Sequence, residues 1–301
     1  MGSAPPFLRG LAPANNTMAS NSMRLDYAAT VVSGKRRAVR SVLRAVSRLA
    51  ARRRESRTLV LMYHSIGNSA YGVRPEDFEA QMRYLKAHAQ VVGLDEIVSG
   101  RYLATAAPLT CAITFDDGYA GVYEYAYPIL RHNGFKAVLY VTTSALDRSG
   151  ALHPCEIPGF FPGEPTLTWA QVREMSKGGI TIGSHLCHHL DMRQLSQTIG
   201  MEELRSSKDI ISQKLGAPCK HFAYPFGLFN AKNVHWVSKL GYESAVTVRH
   251  SLVPDKVDPL RIPRMGLGPE NSWADFEGML RGDLDYLLIL RKLWQALGLP
   301  V

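Results

Sequence analysis

The sequence predicts an α/β chain folded as a distorted (β/α) barrel of about seven parallel strands, with helices added at both ends. Three observations carry this. Short apolar runs such as Thr58–Met62, Leu109–Ile113 and Ala137–Val141 each end abruptly in a polar residue, as strands buried on both faces do when they reach a sheet edge. Segments of helical periodicity separate them, so strand, helix and strand alternate and the crossovers make the sheet parallel. About seven strands exceed what a small open sheet holds comfortably, which favours closure, and closure gathers functional groups at the carboxyl ends of the strands.

The chain has 301 residues and 46% hydrophobic content, enough for one large domain with tails. Residues 1–34 are small, polar and proline-bearing and read as a disordered leader. Residues 35–57 hold ten Lys and Arg against Glu55, a surplus equal to the +9 of the whole chain. Val39, Val42, Leu43, Val46 and Leu49 give this stretch helical spacing. It reads either as a peripheral anchor on an anionic membrane or as a solvated helix packed on the domain, and a presequence has a similar look. No aromatic residues interleave its arginines, so nucleic acid is not an expected partner. The four cysteines lack CxxC spacing, and no apolar run is long enough to span a membrane. With no secretory pattern in the leader, the expected location is cytoplasmic, peripheral to the membrane if the basic helix anchors it.

The first strand is 58–64, with His64 at its end. Pro75-Glu76-Asp77 opens a helix carrying Phe78, Met82 and Leu85. A strand from Leu109 delivers Asp116 and Asp117, and a helix over 120–133 stops at Asn133-Gly134. After strand 137–142, seven Pro and Gly residues between 147 and 166 leave a long loop of the kind that tends to be functional. Helix 168–178, strand 180–184, helix 201–215, strand 220–224, helix 229–240 and strand 244–248 follow, and Leu260–Pro263 is the last short strand. Residues 271–301 form a helical extension, with Leu284, Leu287, Leu288 and Trp294 on an apolar face.

Three strand ends carry chemistry. Asp116 and Asp117 are adjacent and point in different directions, so one can bind a cation while the other faces what that cation activates; the alternative is a plain acidic turn. His185 and His189 are four apart, the spacing that puts two imidazoles on one side of a helical turn to hold zinc, and His188 is the alternative second ligand. Asp117, His185 and His189 are the expected ligands. Tyr224-Pro225-Phe226-Gly227 is an irregular turn whose backbone N–H groups could meet an oxyanion.

These motifs resemble the polysaccharide deacetylases with the nodulation-protein-B homology domain, the family-4 carbohydrate esterases. Thr114–Gly118 is similar to the first family motif, Ser184 to His189 to the second and Phe222–Gly227 to the third. Leu61–His64 and Arg261–Arg264 resemble flanking strands of a branch acting on N-acetylglucosamine polymers. The resemblance covers residues 58–270 and implies removal of acetyl groups from N-acetylglucosamine oligomers or polymers by a divalent metal ion, zinc in the first place. Asp116 is then the general base, Asp117 a ligand, and Phe226 with Tyr224 the oxyanion and substrate contacts. Three departures stand out. Leu186 replaces the usual Ser or Thr after the first metal histidine. Ala223 replaces an arginine that pairs with the base, so Arg264, or else Arg261, is expected to supply that charge. The usual general-acid histidine segment is absent, so His64, or else His250, is expected in that role. O-acetyl or cyclic amide hydrolysis on the same site, and a non-catalytic carbohydrate binder, are the rival readings.

Overall fold

In the computed structural model the described residues are 56–105, 107–146 and 157–283. The leader, the basic stretch up to Glu55, part of the long loop and the chain from Leu284 onward lie outside them.

Strand β1 (Arg57–Tyr63) is followed by a small parallel pair, β2 (Ser65–Ile66) and β3 (Gly72–Val73), and by helix α1 (Pro75–His88). The apolar side of α1 buries Phe78, Met82 and Leu85, each such side chain stabilising the fold by about 1.5–3 kcal/mol. Strand β4 (Gln90–Val91), helix α2 (Leu94–Val98) and strand β5 (Leu109–Phe115) follow. The helix expected over 120–133 is two pieces, a π turn at Val122–Ala126 and helix α3 (Tyr127–Asn133). Pro128 accounts for the break: it lacks an N–H, and its ring displaces the carbonyl four residues back. Strand β6 (Val138–Val141), helix α4 (Trp169–Lys177), strand β7 (Thr181–Ser184), helix α5 (Gln197–Leu215), strand β8 (His221–Ala223), helix α6 (Ala231–Lys239), strand β9 (Ser244–Val246), strand β10 (Met265–Gly266) and helix α7 (Trp273–Arg281) complete the described chain.

The parallel sheet runs β10-β1-β5-β6-β7-β8-β9, with β4 pairing to β5 as a side branch. The last strand lies a few residues later than expected. Ile262 makes only an isolated bridge to Val246, and Met265–Gly266 pair with Leu61 and Met62. The apolar Leu260–Pro263 run therefore belongs to a connector, and segment 262–266 touches both free edges of the curled sheet, closing the distorted barrel.

Side-chain alternation sorts the strands into two cores. Leu59, Leu61, Cys111, Ile113, Leu139 and Val141 pack outward with the α1 residues. Val60, Ala112, Val138, Tyr140, Ala223 and Val246 fill the interior. By the same alternation Thr114 and Asp116 continue the inward face of β5. This parity carries Asp116 to the mouth of the barrel.

Candidate active site

Asp116 and Asp117 follow β5, and both are buried, at 2% and 3% exposure. Asp117 has φ 71°, in the left-handed region that costs a non-glycine residue about 1–3 kcal/mol. That turn separates the directions of the two carboxylates.

Asp116 meets Arg264. The guanidinium donates from Nη1 to Oδ1 at 2.7 Å and from Nη2 to Oδ2 at 2.6 Å, a two-pronged pair. Arg264 is itself fully buried. It is held by donation from Nη1 to Thr114 Oγ1 at 3.1 Å and from Nε to the Thr247 carbonyl at 2.9 Å, with its Cζ 5.7 Å from the Tyr140 ring centre. Burial alone would raise the Asp116 carboxyl, but the charge and hydrogen bonds of Arg264 outweigh it and bring it down to about 2. Arg261 turns away to the exposed Asp258 at 2.6 Å.

Asp117 Oδ1 is buried without a hydrogen-bond partner. Facing it are His185 Nε2 at 3.4 Å and His189 Nε2 at 3.5 Å. Each imidazole has its other nitrogen on a backbone carbonyl: His185 Nδ1 at 2.8 Å from Ala223 O, His189 Nδ1 at 2.5 Å from Pro158 O. A carbonyl only accepts, so Nδ1 carries the proton in both rings and each Nε2 presents a lone pair. Burial lowers both imidazoles to about 4, so both are neutral at pH 7. Burial likewise raises Asp117, with His64 and His185 pulling the other way. One orphaned carboxylate oxygen and two lone pairs, all within 4.8 Å of one another, repel unless a cation lies between them. The three residues therefore fit a divalent ion.

The histidine spacing works through a different backbone from the expected helical turn. Residues 186–188 are an irregular turn, with φ 65° at Leu186 and 52° at His189. Those two left-handed residues fold the chain back on itself so that both rings face Asp117. His188, the alternative ligand, turns outward to Glu203, with Nδ1 2.6 Å from Oε1. Glu203 was not read from the sequence as part of the site; the available signal was an acid beside the buried Leu204, Ser207 and Ile211 of α5.

Phe226 has φ 57° in the turn after β8. Its N–H finds no partner among the described residues, and its ring lies 4.4 Å from that of His189. Tyr224 does not share that position. Its N–H donates to Val246 O at 3.2 Å, and its hydroxyl donates to Leu260 O at 3.1 Å. A residue at the end of β8 still has ladder and connector partners, so in this structure the Tyr224 N–H and O–H are both committed to carbonyls.

His64, half-buried after β1, acts electrostatically on both aspartates and lies 6.0 Å from the Phe161 ring. His250, also half-buried, follows Arg249, whose carbonyl accepts from Arg264 N–H at 3.2 Å. The described part of the long loop, from residue 157 on, lies against one side of the site. Its Pro158 orients His189, and Gly159, at φ 81°, sits so close to the Phe226 ring that a Cβ there would clash. Phe161 stacks between Tyr71 at 4.8 Å and Tyr119 at 5.4 Å.

Residues 105–245 match the family model described as polysaccharide deacetylase, a span that includes both aspartates and both facing histidines and leaves out His64 and Arg264. A Bacillus subtilis relative whose name places it among the polysaccharide deacetylases is 29% identical over 221 residues, 72% of this chain and 74% of that protein. A Staphylococcus epidermidis protein named poly-β-1,6-N-acetyl-D-glucosamine N-deacetylase is 23% identical over 205 residues, 65% of this chain and 68% of its own length. Among solved structures, the Streptococcus pyogenes deacetylase PplD in complex with acetate superposes with TM-score 0.63 at 25% identity, covering 74% of this chain and 98% of that one.

Proposed function

We propose that this chain, whose residues 105–245 match the polysaccharide deacetylase family model, hydrolyses N-acetyl groups from N-acetylglucosamine oligomers or polymers with a divalent cation, zinc first, as cofactor. The observation that carries this reading is the unpartnered Asp117 Oδ1 facing two imidazole lone pairs beside the Asp116–Arg264 pair. The name of the staphylococcal relative supports the choice of glycan.

Asp117, His185 and His189 hold the cation, which when bound supplies Lewis-acid polarisation and makes water acidic enough to attack. Asp116 is the base. Arg264 keeps it ionised and takes one lone pair of each oxygen, leaving others free to accept the proton of the attacking water. The Phe226 N–H faces the negative charge that develops on the carbonyl oxygen. His64 donates the proton that the sugar nitrogen needs as the C–N bond breaks, so water and acetamide become acetate and amine.

Acetate release from β-1,6-linked N-acetylglucosamine and chitin oligomers tests this. Asp116→Asn keeps the shape and removes the base, and its rate should fall about 10²- to 10⁴-fold. Equal release by both forms would refute the assignment of Asp116, and release from O-acetylated sugars alone would move the substrate to esters.

A further inference from the structure

The turn between the two candidate ligand histidines is buried and irregular, so each of its backbone groups needs a partner outside regular structure. His185 N–H donates to Val141 O at 2.9 Å and its carbonyl accepts from Thr142 Oγ1 at 3.3 Å. Leu186 N–H reaches Ser184 Oγ at 3.3 Å, and its carbonyl accepts from Thr143 N–H at 3.2 Å. The Cys187 carbonyl accepts from Ser144 N–H at 3.0 Å. The N–H groups of Cys187 and His188 both donate to one oxygen, Glu203 Oε2, at 3.1 and 3.0 Å. The other carboxylate oxygen, Oε1, takes His188 Nδ1 at 2.6 Å. Glu203 is 2% exposed and stands in the middle of α5, so a rigid helix carries the clamp.

We propose that Glu203 is a positioning residue for the metal site. From α5 its carboxylate fastens the 186–189 turn in the strained backbone that aims His185 Nε2 and His189 Nε2 at Asp117. It does the holding at the point where Leu186 offers no hydroxyl. Leu186 instead buries its side chain completely in the core. Removing the carboxylate strands two N–H groups and frees left-handed φ angles at Leu186 and His189 to relax, which turns the rings apart. Groups that orient ligands without touching the ion typically cost 10- to 100-fold in metal affinity when lost. The inference rests on Asp117, His185 and His189 being the ligands, not on the identity of the glycan.

The test is titration of the full metal-free chain with Zn²⁺, and with Co²⁺ followed by its visible absorption, alongside thermal unfolding without metal. Glu203→Ala should bind Zn²⁺ about 10- to 100-fold more weakly and show a changed Co²⁺ spectrum. Glu203→Gln keeps a carbonyl for both N–H donors and should recover most of the affinity. An alanine variant that folds and binds Zn²⁺ as the parent does overturns the proposal, as does a loss confined to unfolding temperature, the mark of a purely structural residue. Should the alanine variant fail to fold, Glu203→Asp decides: its carboxylate is one methylene too short to reach both donors, so weakened binding supports the proposal and unchanged binding overturns it. A parent chain that binds no Zn²⁺ removes the ligand reading and this inference together. A parent that binds Zn²⁺ but releases no acetate removes only the substrate reading.

Discussion

The two ends of the barrel each hold a buried imidazole facing a carboxylate, and they differ in what surrounds the pair. At the amino-terminal end His221, 3% exposed, has Nε2 3.1 Å from Asp95 Oδ1 and Nδ1 2.8 Å from Ser244 Oγ. Asp95 is 57% exposed, and its carboxyl is held below the usual range first by the hydrogen bond to His221, against the effect of burial. Every polar atom of that imidazole is matched, and neither His221 nor Asp95 has left-handed backbone. At the carboxyl-terminal end Asp117, Leu186, His189 and Phe226 are the four non-glycine residues with positive φ among those described. There the aspartate oxygen is unmatched and two lone pairs converge on it. A His–Asp contact of about the same length is a latch at one end and fits a cation at the other, because only one end lacks a proton to share and stores backbone strain.

The largest way to break this contrast is Arg264→Ala. It strands a buried Asp116, so stability should fall by about 3–5 kcal/mol, and acetate release should fall with it; denaturant titration and the deacetylation assay read the two. Arg264→Lys should restore charge but not the two-pronged pair, and should recover stability better than activity. Tyr224→Phe should cost about 1 kcal/mol through the Leu260 carbonyl and leave the rate unchanged. A rate loss without a stability loss would return Tyr224 to the site.

Asp95→Asn should have the smallest effect, on the scale of an exposed pair, about 0.2–1 kcal/mol. Its sign with pH is definite. The folded carboxyl lies below its unfolded value of 3.8, so its contribution is present above about pH 4 and is lost as pH falls through the lowered folded value. Unfolding curves of parent and variant should therefore converge at low pH, with deacetylation at pH 7 unchanged. A gap that widens in acid would contradict the latch.

Much of the fold was legible because strand ends are marked chemically: an apolar run stops, and an Asp, His or Tyr-Pro follows. The alternation that places Ala112, Thr114 and Asp116 on one inward face can be counted from the sequence. The two-residue strands β2, β3 and β4 could not be, since so short a run has no period. Leu260–Pro263 passed for a strand because Ile262 is apolar and buried, while the pairing depended on where β1 ran out of partners. The sequence reading put Arg264 forward for the position beside Asp116, on the strength of a missing arginine at Ala223, and the contact at 2.6 Å supplies the geometry that reading needs. Pro158 and Glu203 could not be found this way. Pro158 acts through a backbone carbonyl in a loop, which leaves no periodic trace, and the place of Glu203 on the buried face of another helix does not say which turn it holds.

The central claim is that Asp117, His185 and His189 make one cation site while Asp95 and His221 make none. Zn²⁺ titration of the metal-free chain, compared with Asp117→Ala and Asp95→Ala, tests it most directly. The expected result is one tight site in the parent and in Asp95→Ala, with that site abolished in Asp117→Ala and acetate release lost alongside it. Tight binding that survives Asp117→Ala, or that disappears with Asp95→Ala, would contradict it.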